Sequence, residues 1–412
     1  MKFDTIIIGG GLSGMTAGIT LARAGQRVAI FSTGQSALQF SSGSMELLGQ
    51  LDGEPVERPT EAFDSLPESH PYRRIGKAKW LDLLGHVQPM LSEAGINTIG
   101  DTSRNRWRLT PLGKIKPAWL TLDDFATFTS PDKLPWRSVA LVNITDFIDF
   151  YPRFLAPTLE RRGVKCRQES VTIPRLEKLR RSSTEMRAPT VARLLDDDAI
   201  RQIAGRLNVI ARDVDALIMP AVVGLRDDHQ LTLLRRLIVK PVYFVTTMSA
   251  SVPGIRIQMQ LDAYFKKLGG MLFPGDTVVK ANMDGDKIRA VYTVNHGDEP
   301  LEADNYMLAS GSFFGNGLVA LPDRIIEPVL GLDVEAPGLR AEWYKPDLYD
   351  AQPFMAFGVK SDESFRPSLD SRTISNLYAV GSILGGCNPI KEGCGAGVAI
   401  LTAMFAADKI LE

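Results

Sequence analysis

The chain of 412 residues is long enough to bury a large core and to form two domains. Its 47 basic and 48 acidic residues balance, so we expect no nucleic-acid partner beyond a local basic patch. Its three cysteines are too few for a disulfide framework, which favours a reducing compartment. We expect no signal peptide, because the apolar N-terminus reads as a strand, and no membrane helix, because every apolar run is shorter than about 18 residues.

A strand–helix–strand pattern opens the chain. An apolar run from Phe3 ends in a glycine cluster, a helical pattern follows and stops at Gly25, and residues 28–31 read as a second strand. Such a βαβ unit with Gly-x-Gly-x-x-Gly at its first turn is typical of a Rossmann-like domain. The residues expected to hold a phosphate of a nucleotide or flavin here are Gly9, Gly11, Leu12, Ser13 and Gly14.

Each glycine of this motif has its own role. Gly9 permits the tight turn, Gly11 lets a phosphate approach the backbone, and Gly14 lets the helix pack closely on the strand. The unbonded amides and the positive end of the helix dipole then face the anion. The alternative is a structural turn that binds nothing.

The residue at the end of the second strand departs from the common pattern. That position usually carries Glu or Asp, which accepts both hydroxyls of an adenosine ribose, but here it is Ser32. One hydroxyl does not replace a charged acceptor with two oxygens. We therefore predict non-covalent FMN, which has no adenosine to anchor. FAD is the alternative if a backbone group or a water replaces the acid.

A hydroxyl-rich loop follows, formed by Ser41, Ser42, Gly43 and Ser44. Its small polar residues are suited to bonding a phosphate or the edge of a flavin ring. An ordinary helix N-cap is the equal alternative.

Residues 52–249 alternate helices and strands without a second glycine motif, which is typical of an inserted cap or substrate domain. The predicted helices are 79–94, 122–128, 147–162, 190–195 and 199–210, and the predicted strands are 137–142, 164–173 and 216–220. Pro89 indicates a kink or early end in the first helix. The basic stretch 104–116 reads as a solvated face or, alternatively, as an anion or partner site. Residues 175–187 are charged and expected to be exposed.

The nucleotide-binding pattern returns near residue 250. A helix that ends at Gly269 precedes the predicted strands 271–273, 277–279, 287–294, 300–304 and 306–309, of which 287–294 and 300–304 form a hairpin. A last strand, 376–382, precedes a second glycine cluster and the apolar helix 398–411. A helix N-terminus beside the pyrimidine edge of a flavin stabilises the negative charge of the reduced ring.

These signals together resemble the fumarate reductase and succinate dehydrogenase class of flavoproteins, over residues 6–14, 261–278, 308–311 and 377–407. More specific stretches are similar to the B-subunit family of bacterial anaerobic glycerol-3-phosphate dehydrogenases, over essentially the full length. These stretches are residues 34–38, 40–44, 110–113, 309–314, 327–334 and 381–386.

The resemblance implies an α/β fold, in which a Rossmann-like flavin-binding domain carries an inserted α+β cap or substrate domain. The expected bounds are 1–51, 250–311 and 358–412 for the flavin-binding domain, 52–249 for the inserted domain, and 312–357 for a cap-side or interdomain segment. Further expected cofactor-binding residues are Val278, Ser310, Gly311, Gly381, Ser382, Gly395, Ala396 and Gly397. Ser382 stands where related FAD enzymes usually have Asp.

The resemblance also implies a three-subunit enzyme that oxidises sn-glycerol 3-phosphate to dihydroxyacetone phosphate and passes electrons to quinone in fumarate or nitrate respiration. Members of the B-subunit family are associated with FMN. A larger FAD-containing subunit is the expected seat of substrate oxidation, and an iron–sulfur subunit links both to the membrane. The implied location is cytoplasmic, peripheral on the inner face of the bacterial cell membrane. The alternative is an electron-relay or assembly subunit without a substrate of its own.

Three cations are candidate catalytic residues, since each could bind a phosphate or stabilise a reduced flavin: Arg256, Arg366 and Lys391. For each, a salt bridge is the alternative. Cys387 and Cys394 lack a second pair that would complete a metal or cluster site, so we assign no metal. Cys394 at a helix start is either a thiol of lowered pKa or a small buried apolar residue.

Overall fold

The computed structural model describes residues 2–177, 179 and 185–412, so part of the charged stretch 175–187 lies outside the described residues. The chain forms two compact units. Unit 1 comprises residues 1–37, 46–94 and 261–412, and unit 2 comprises residues 38–45 and 95–260. Residues 52–94, which the sequence pattern placed with the inserted domain, belong to unit 1.

The α-helices of the described residues are α1 (Leu12–Arg23), α2 (Pro71–Ile75), α3 (Lys77–Glu93), α4 (Pro152–Glu160), α5 (Ala188–Leu194), α6 (Asp197–Ile210), α7 (His229–Leu237), α8 (Val252–Lys267), α9 (Pro389–Glu392) and α10 (Gly395–Leu411).

The β-strands are β1 (Lys2–Ile8), β2 (Val28–Ser32), β3 (Ser44–Met45), β4 (Gln50–Leu51), β5 (Glu54–Pro55), β6 (Thr98–Gly100), β7 (Arg106–Leu109), β8 (Ile115–Ala118), β9 (Leu120–Leu122), β10 (Thr127–Phe128), β11 (Ser138–Ile144), β12 (Lys165–Val171), β13 (Ala216–Pro220), β14 (Val242–Val245), β15 (Met271–Pro274), β16 (Val278–Asp284), β17 (Lys287–Thr293), β18 (Leu301–Leu308), β19 (Val319–Ala320), β20 (Ile325–Ile326), β21 (Val334–Glu335), β22 (Gly358–Val359), β23 (Ser368–Leu369), β24 (Arg372–Thr373) and β25 (Leu377–Ala379).

Unit 1 is built on a seven-stranded sheet in the order β15-β2-β1-β18-β17-β16, with β25 paired to β18. Strands β15, β2, β1, β18 and β25 are parallel, and β17 and β16 continue the sheet antiparallel. Ile6 and Ile7 of β1 are fully buried, as expected for a strand covered on both faces. The carboxyl ends of β1, β2, β18 and β25 therefore meet at one edge of the sheet.

Helices α1 and α10 pack against each other in unit 1. In α10 the residues Val398, Ile400 and Leu401 are buried, and each such side chain contributes about 1.5–3 kcal/mol when removed from water. Small residues on α1, including Ala17 and Gly18, let this helix lie close to its neighbours. The two helices that begin in glycine clusters are thus both core elements of unit 1.

Unit 2 contains a parallel four-stranded sheet in the order β12-β11-β13-β14. Residues Val139 to Val142 of β11 are fully buried at its centre. Two antiparallel sheets, β10-β7-β8 and β3-β9-β6, complete this unit. Strand β7 and the first residues of β8 lie within the basic stretch 104–116. Arg108 in β7 is buried, as is Trp119 just after the stretch, so the stretch is not a solvated face throughout.

The structure confirms the Rossmann-like βαβ unit, the β17–β18 hairpin and the C-terminal apolar helix. Two helix predictions in unit 2 need correction. Residues 122–128 are not a helix, because the Phe125 amide donates to Leu122 O (3.1 Å) in a turn between β9 and β10. The helix predicted over 147–162 spans only Pro152–Glu160, since proline suits the first turn and disfavours helix in the residue before it.

Two further predictions differ from the structure, and two elements of unit 2 were not predicted. Helix α3 continues past Pro89 to Glu93, so the proline does not end it early. Residues 41–44 do not cap a helix, because strand β3 begins at Ser44. Helix α7 and strand β14 were not predicted. Among the described residues, no helix is sufficiently long and apolar for a membrane span.

Candidate cofactor site

The turn between β1 and α1 is closed by two glycines that pack against backbone. Gly9 has φ +117°, a conformation that favours glycine, and a Cβ there would lie 2.2 Å from Ala309 O. A Cβ on Gly14 would lie 1.9 Å from Gly9 O. Neither position has room for a side chain, so both glycines are needed to bring α1 onto the ends of β1 and β18.

Gly11, the middle glycine of the motif, faces open space. Among the described residues, a Cβ there would meet only Ser36 Cβ, at 3.9 Å. Gly11 is the N-cap of α1, and no side chain that the structure describes bonds to the amides of the first turn. The first turn also contains no acidic residue. The amides of Leu12, Ser13 and Gly14 are first-turn donors without an intrahelical acceptor, which is the arrangement that binds an anion.

A second loop reaches the same edge after β18. The Ala309 amide donates to Ile8 O (2.8 Å), which places the following Ser310 beside the glycine turn. Ser310 Oγ is buried and has no hydrogen-bond partner among the described residues. A buried hydroxyl without a partner is unfavourable by about 1–3 kcal/mol, so a polar ligand atom at this point fits the site.

The loop after β25 completes the cluster. Gly381 has φ +74°, its amide donates to Thr402 Oγ1 (2.9 Å), and a Cβ on it would lie 2.0 Å from Ser13 Oγ. A Cβ on Gly311 would lie 3.7 Å from Ser382 Oγ. The sheet edge therefore brings the three expected cofactor-binding loops together. The open helix start and the unpaired serine hydroxyl fit the phosphate and polar edge of a flavin.

Ser32 lies at the end of β2, at the same sheet edge. Its hydroxyl donates to Gly34 O (3.0 Å), and its carbonyl accepts from the Gly275 amide (2.7 Å). The hydroxyl hydrogen is thus engaged within its own turn. Val278, at the start of β16, is buried.

The hydroxyl-rich loop 41–44 belongs to unit 2. Ser42 Oγ and Ser44 Oγ are 2.7 Å apart, and the Gly43 amide donates to Ser41 Oγ (3.2 Å). These bonds stabilise the loop internally. Its role in binding a flavin stays a prediction.

A mainly apolar cavity of about 460 Å³ lies at the start of α10 in unit 1. Its lining residues, none of which is charged, are Ser312, Phe313, Phe314, Phe354, Met355, Ser382, Leu384, Cys387, Pro389, Ile390, Gly395 and Val398. The cavity therefore includes two of the expected cofactor-binding residues, Ser382 and Gly395. The Gly397 amide, by contrast, donates to Glu46 O (2.9 Å) and is not open to an anion.

The three candidate catalytic cations are all engaged by neighbouring groups. Arg366 Nε donates to Asp362 Oδ2 (2.9 Å), and Lys391 Nζ donates to Tyr349 O (2.7 Å). Arg256 lies in unit 2, buried against Asp124 Oδ2 at 3.1 Å. None of them lines the cavity, so their catalytic assignment gains no support from these contacts.

The sequence pattern did not reveal a cluster in unit 1 of three buried side chains and the partly exposed Glu392. His70, Cys387 and Cys394 have ligand-type atoms that all lie within 4.8 Å of one another. Glu392 Oε2 lies 3.1 Å from His70 Nε2 and 3.6 Å from Cys394 Sγ. The sequence places Cys387, Glu392 and Cys394 close together, which was its only signal of the cluster. It gives no hint of the fourth member, because His70 comes from a distant segment at the start of α2.

The ionisation of the cluster is strongly perturbed. A hydrogen bond with Cys387 and burial raise the pKa of the Cys394 thiol well above its ordinary value, so it is a protonated thiol near neutral pH. This result contradicts a lowered pKa at the helix start. Burial opposes ionisation of Glu392, but hydrogen bonds from His70 and the Asn388 amide outweigh it and lower the Glu392 pKa.

Known proteins align with this chain from end to end. The chain matches the FAD binding domain family over residues 4–398. It is 42% identical over 417 residues to the B subunit of anaerobic glycerol-3-phosphate dehydrogenase from Pectobacterium carotovorum subsp. carotovorum (strain PC1), covering 100% of this chain and 99% of that protein. The chain belongs to the B-subunit family of anaerobic glycerol-3-phosphate dehydrogenases. The relative from Pasteurella multocida (strain Pm70) is 35% identical over 428 residues, again with 100% and 99% coverage.

Membership of this B-subunit family confirms the resemblance seen in the sequence and identifies the chain as a flavoprotein. The solved structure of 3-ketosteroid delta1-dehydrogenase from Sterolibacterium denitrificans aligns over 99% of both chains at a TM-score of 0.46 and 10% identity. The family assignment comes from the sequence relatives. The matched family is an FAD binding domain, so these comparisons do not support the predicted preference for FMN.

Proposed function

We propose that this chain is the flavoprotein subunit of a respiratory anaerobic glycerol-3-phosphate dehydrogenase. In this proposal the complex oxidises sn-glycerol 3-phosphate to dihydroxyacetone phosphate and passes two electrons to quinone. The supporting observation is that the start of α1 is suited to binding a phosphate. The chain that carries it aligns over its full length with B subunits of anaerobic glycerol-3-phosphate dehydrogenase. The proposed location is the inner face of the cell membrane, through partner subunits.

The chain's own groups have defined roles in this proposal. The amides of Leu12, Ser13 and Gly14 hold the flavin phosphate, and Ser310 Oγ binds a polar atom of the cofactor. The cavity beside Ser382 excludes water through its apolar lining. When bound, the flavin supplies two-electron redox chemistry.

Two roles inside the complex are open to this chain. In the first, it binds glycerol 3-phosphate and its own flavin takes the electrons. In the second, it relays electrons or supports assembly, and the larger FAD-containing subunit oxidises the substrate while an iron–sulfur subunit carries electrons onward. The uncharged lining of the cavity favours the second role, because a phosphate ester is bound by cations or amide-rich turns.

Addition of glycerol 3-phosphate to the isolated, flavin-loaded chain under anaerobic conditions separates these roles. The relay role predicts unchanged flavin absorbance, whereas the intact complex bleaches with the same substrate. Bleaching of the isolated chain would instead establish substrate oxidation here. Dithionite serves as a control, because it must reduce the flavin in either case.

The flavin proposed for this chain is FAD, since the chain matches the FAD binding domain family. FMN is the alternative, because Ser32 supplies no carboxylate for an adenosine ribose. Acid extraction of the purified complex and of the isolated chain, followed by chromatography, identifies the flavin. Stoichiometric FMN from the isolated chain would overturn the FAD proposal.

A further inference from the structure

The buried cluster around Cys394 lies directly behind the wall of the cavity. Cys387 lines the cavity, while Cys394 is fully buried as the N-cap of α10. The two sulfur atoms lie within 4.8 Å of each other and of a His70 ring nitrogen. One thiol is therefore placed to meet a molecule that enters the cavity, and a second thiol lies behind it.

The ligand-type atoms of this cluster are close enough to suggest a metal ion, but the hydrogen bonds of His70 disfavour one. The Tyr72 amide donates to His70 Nδ1 (3.0 Å), so Nδ1 carries a lone pair and the ring proton of neutral histidine is on Nε2. That Nε2–H points to Glu392 Oε2 at 3.1 Å. A metal needs the Nε2 lone pair, which this tautomer does not offer.

The carboxylate of Glu392 links the histidine to the thiols. Its Oε1 accepts from the Asn388 amide (2.7 Å), and its Oε2 accepts from both His70 Nε2 and Cys394 Sγ, the sulfur at 3.6 Å. The carboxylate is thus ionised, oriented and in contact with the inner thiol. It is placed to relay the Cys394 proton to a leaving group when that sulfur becomes a nucleophile.

We propose that Cys387 and Cys394 are a redox-active dithiol, which is oxidised to an intramolecular disulfide by a low-molecular-weight disulfide that enters the cavity. The Cys387 sulfur attacks one sulfur of the small disulfide and displaces the first thiolate, which takes up the Cys387 proton. Cys394 then attacks Cys387 Sγ in the mixed disulfide and displaces the second thiolate, to which the Cys394 proton passes through the Glu392 carboxylate. Both released thiolates take up the protons lost by the cysteines, so two thiols of the chain become one disulfide and one small disulfide becomes two thiols.

The disulfide would have a local structural effect. It closes a loop from Cys387 to Cys394 that includes α9 and ends next to the first residue of α10, Gly395, which lines the cavity. Oxidation therefore joins one cavity wall to the start of α10. This inference does not depend on a bound flavin or on the proposed substrate, because its chemistry needs only the two thiols and the incoming disulfide.

Cys166 provides an internal control. It lies in unit 2, away in sequence from the pair, and burial and nearby Glu160 raise its pKa to about 11. It has no cysteine partner among the described residues. Oxidised glutathione should therefore leave Cys166 as a free thiol, because the raised pKa leaves little of its reactive thiolate near neutral pH.

The test treats the reduced, full-length protein with oxidised glutathione and maps its peptides by mass spectrometry. We expect a Cys387–Cys394 cross-linked peptide and a loss of two of the three free thiols, with the same cross-link in Cys166→Ser. Cys394→Ser should trap glutathione on Cys387, because the resolving thiol is missing. Glutathione on both cysteines of the native protein, or thiols that react only after denaturation in urea, would overturn the dithiol.

Zinc is the second arm of the test. The reduced protein should bind no stoichiometric Zn²⁺ in dialysis against a weak chelator, and its thiols should stay reactive. Stoichiometric zinc that protects Cys387 and Cys394, and is lost in His70→Ala, would overturn the proposal in favour of a metal site. Neither arm measures glycerol-3-phosphate oxidation. A complex that fails to oxidise glycerol 3-phosphate would therefore contradict the proposed function and leave the dithiol proposal standing.

Discussion

The two glycine-rich helix starts of unit 1 look alike in the sequence and differ in the structure. At the start of α1, Gly9 and Gly14 touch backbone while Gly11 faces open space. At the start of α10, a Cβ on Gly397 would lie 2.2 Å from Tyr72 Oη, and the Gly397 amide is bonded to Glu46 O. Glycine clusters therefore arise from packing as well as from ligand binding, and only the open glycine indicates a ligand.

The two starts also differ in their electrostatics. The first turn of α1 has no side-chain cap and no acidic residue, which leaves the positive helix end for an anion. The start of α10 follows Glu392, an ionised carboxylate that is bonded to His70. A negative group near the α10 start competes with an anionic ligand, so this difference supports α1 as the proposed phosphate site.

The largest effect is expected for Gly14→Ala. The added Cβ would lie 1.9 Å from Gly9 O, a backbone atom that β1 and β18 hold in place, so α1 must move off the sheet. We expect a destabilisation of at least about 3 kcal/mol, measured by urea unfolding. The matched control is Gly205→Ala in α6, where a Cβ meets nothing within 4 Å and the helix gains up to about 1 kcal/mol.

Gly11→Ala tests the binding role of the same motif. Its φ of −78° suits alanine and its Cβ meets only Ser36, so the free energy of unfolding without flavin should stay within about 0.5 kcal/mol of the parent. The methyl group occupies the approach of the phosphate, and flavin affinity should fall at least about tenfold, or 1.4 kcal/mol. Titration of the apoprotein measures this. Unchanged affinity would show that the phosphate binds elsewhere.

Gly397→Ala tests the packing role at α10. The Cβ would displace Tyr72 Oη, which donates to Leu47 O (2.8 Å), and a loss of about 1–3 kcal/mol is expected. Gly395→Ala is the paired variant, because its Cβ would be 3.3 Å from Pro389 Cβ and needs only a small shift. Thermal unfolding ranks the two variants. A more stable Gly397→Ala protein would remove the distinction between the two starts.

The sequence predicted α1 and the glycine turn before it better than the surroundings of α10, for a physical reason. The βαβ unit is local, so the spacing of Gly9, Gly11 and Gly14 already contains its geometry. The neighbours of Gly397 are Leu47 and Tyr72, which only the tertiary fold brings to α10. The spacing of Cys387 and Cys394 likewise gives no hint of His70, which lies in a distant part of the chain.

The errors in unit 2 have the same origin. Residues 122–128 contain short apolar runs, whose periodicity fits a helix or a strand equally. Pairing decides between them, because Phe128 opposes Trp107 and Thr98 opposes Leu122 in antiparallel sheets. Such partners are distant in sequence, and no local pattern of residues identifies them.

The smallest expected effect concerns pH and the α10 start. Glu392 has a lowered pKa in the folded protein, so its ionised form stabilises the fold at pH values above the ordinary 4.5. That contribution is lost as the pH falls through the folded-state pKa. In Glu392→Gln the amide replaces the carboxylate that binds His70. Urea unfolding should therefore show the parent to be more stable at about pH 7, with a difference that shrinks below about pH 4.

The control is Glu68→Gln, at an exposed side chain in the same unit, which should follow the parent at every pH. The start of α1 has no titratable side chain in its first turn, so flavin-free Gly11→Ala should also follow the parent. A difference between parent and Glu392→Gln that grows toward acid would mean that the carboxylate is protonated in the folded protein near neutral pH. The negative group that sets α10 apart from α1 would then be absent, and an anion could bind at either helix start.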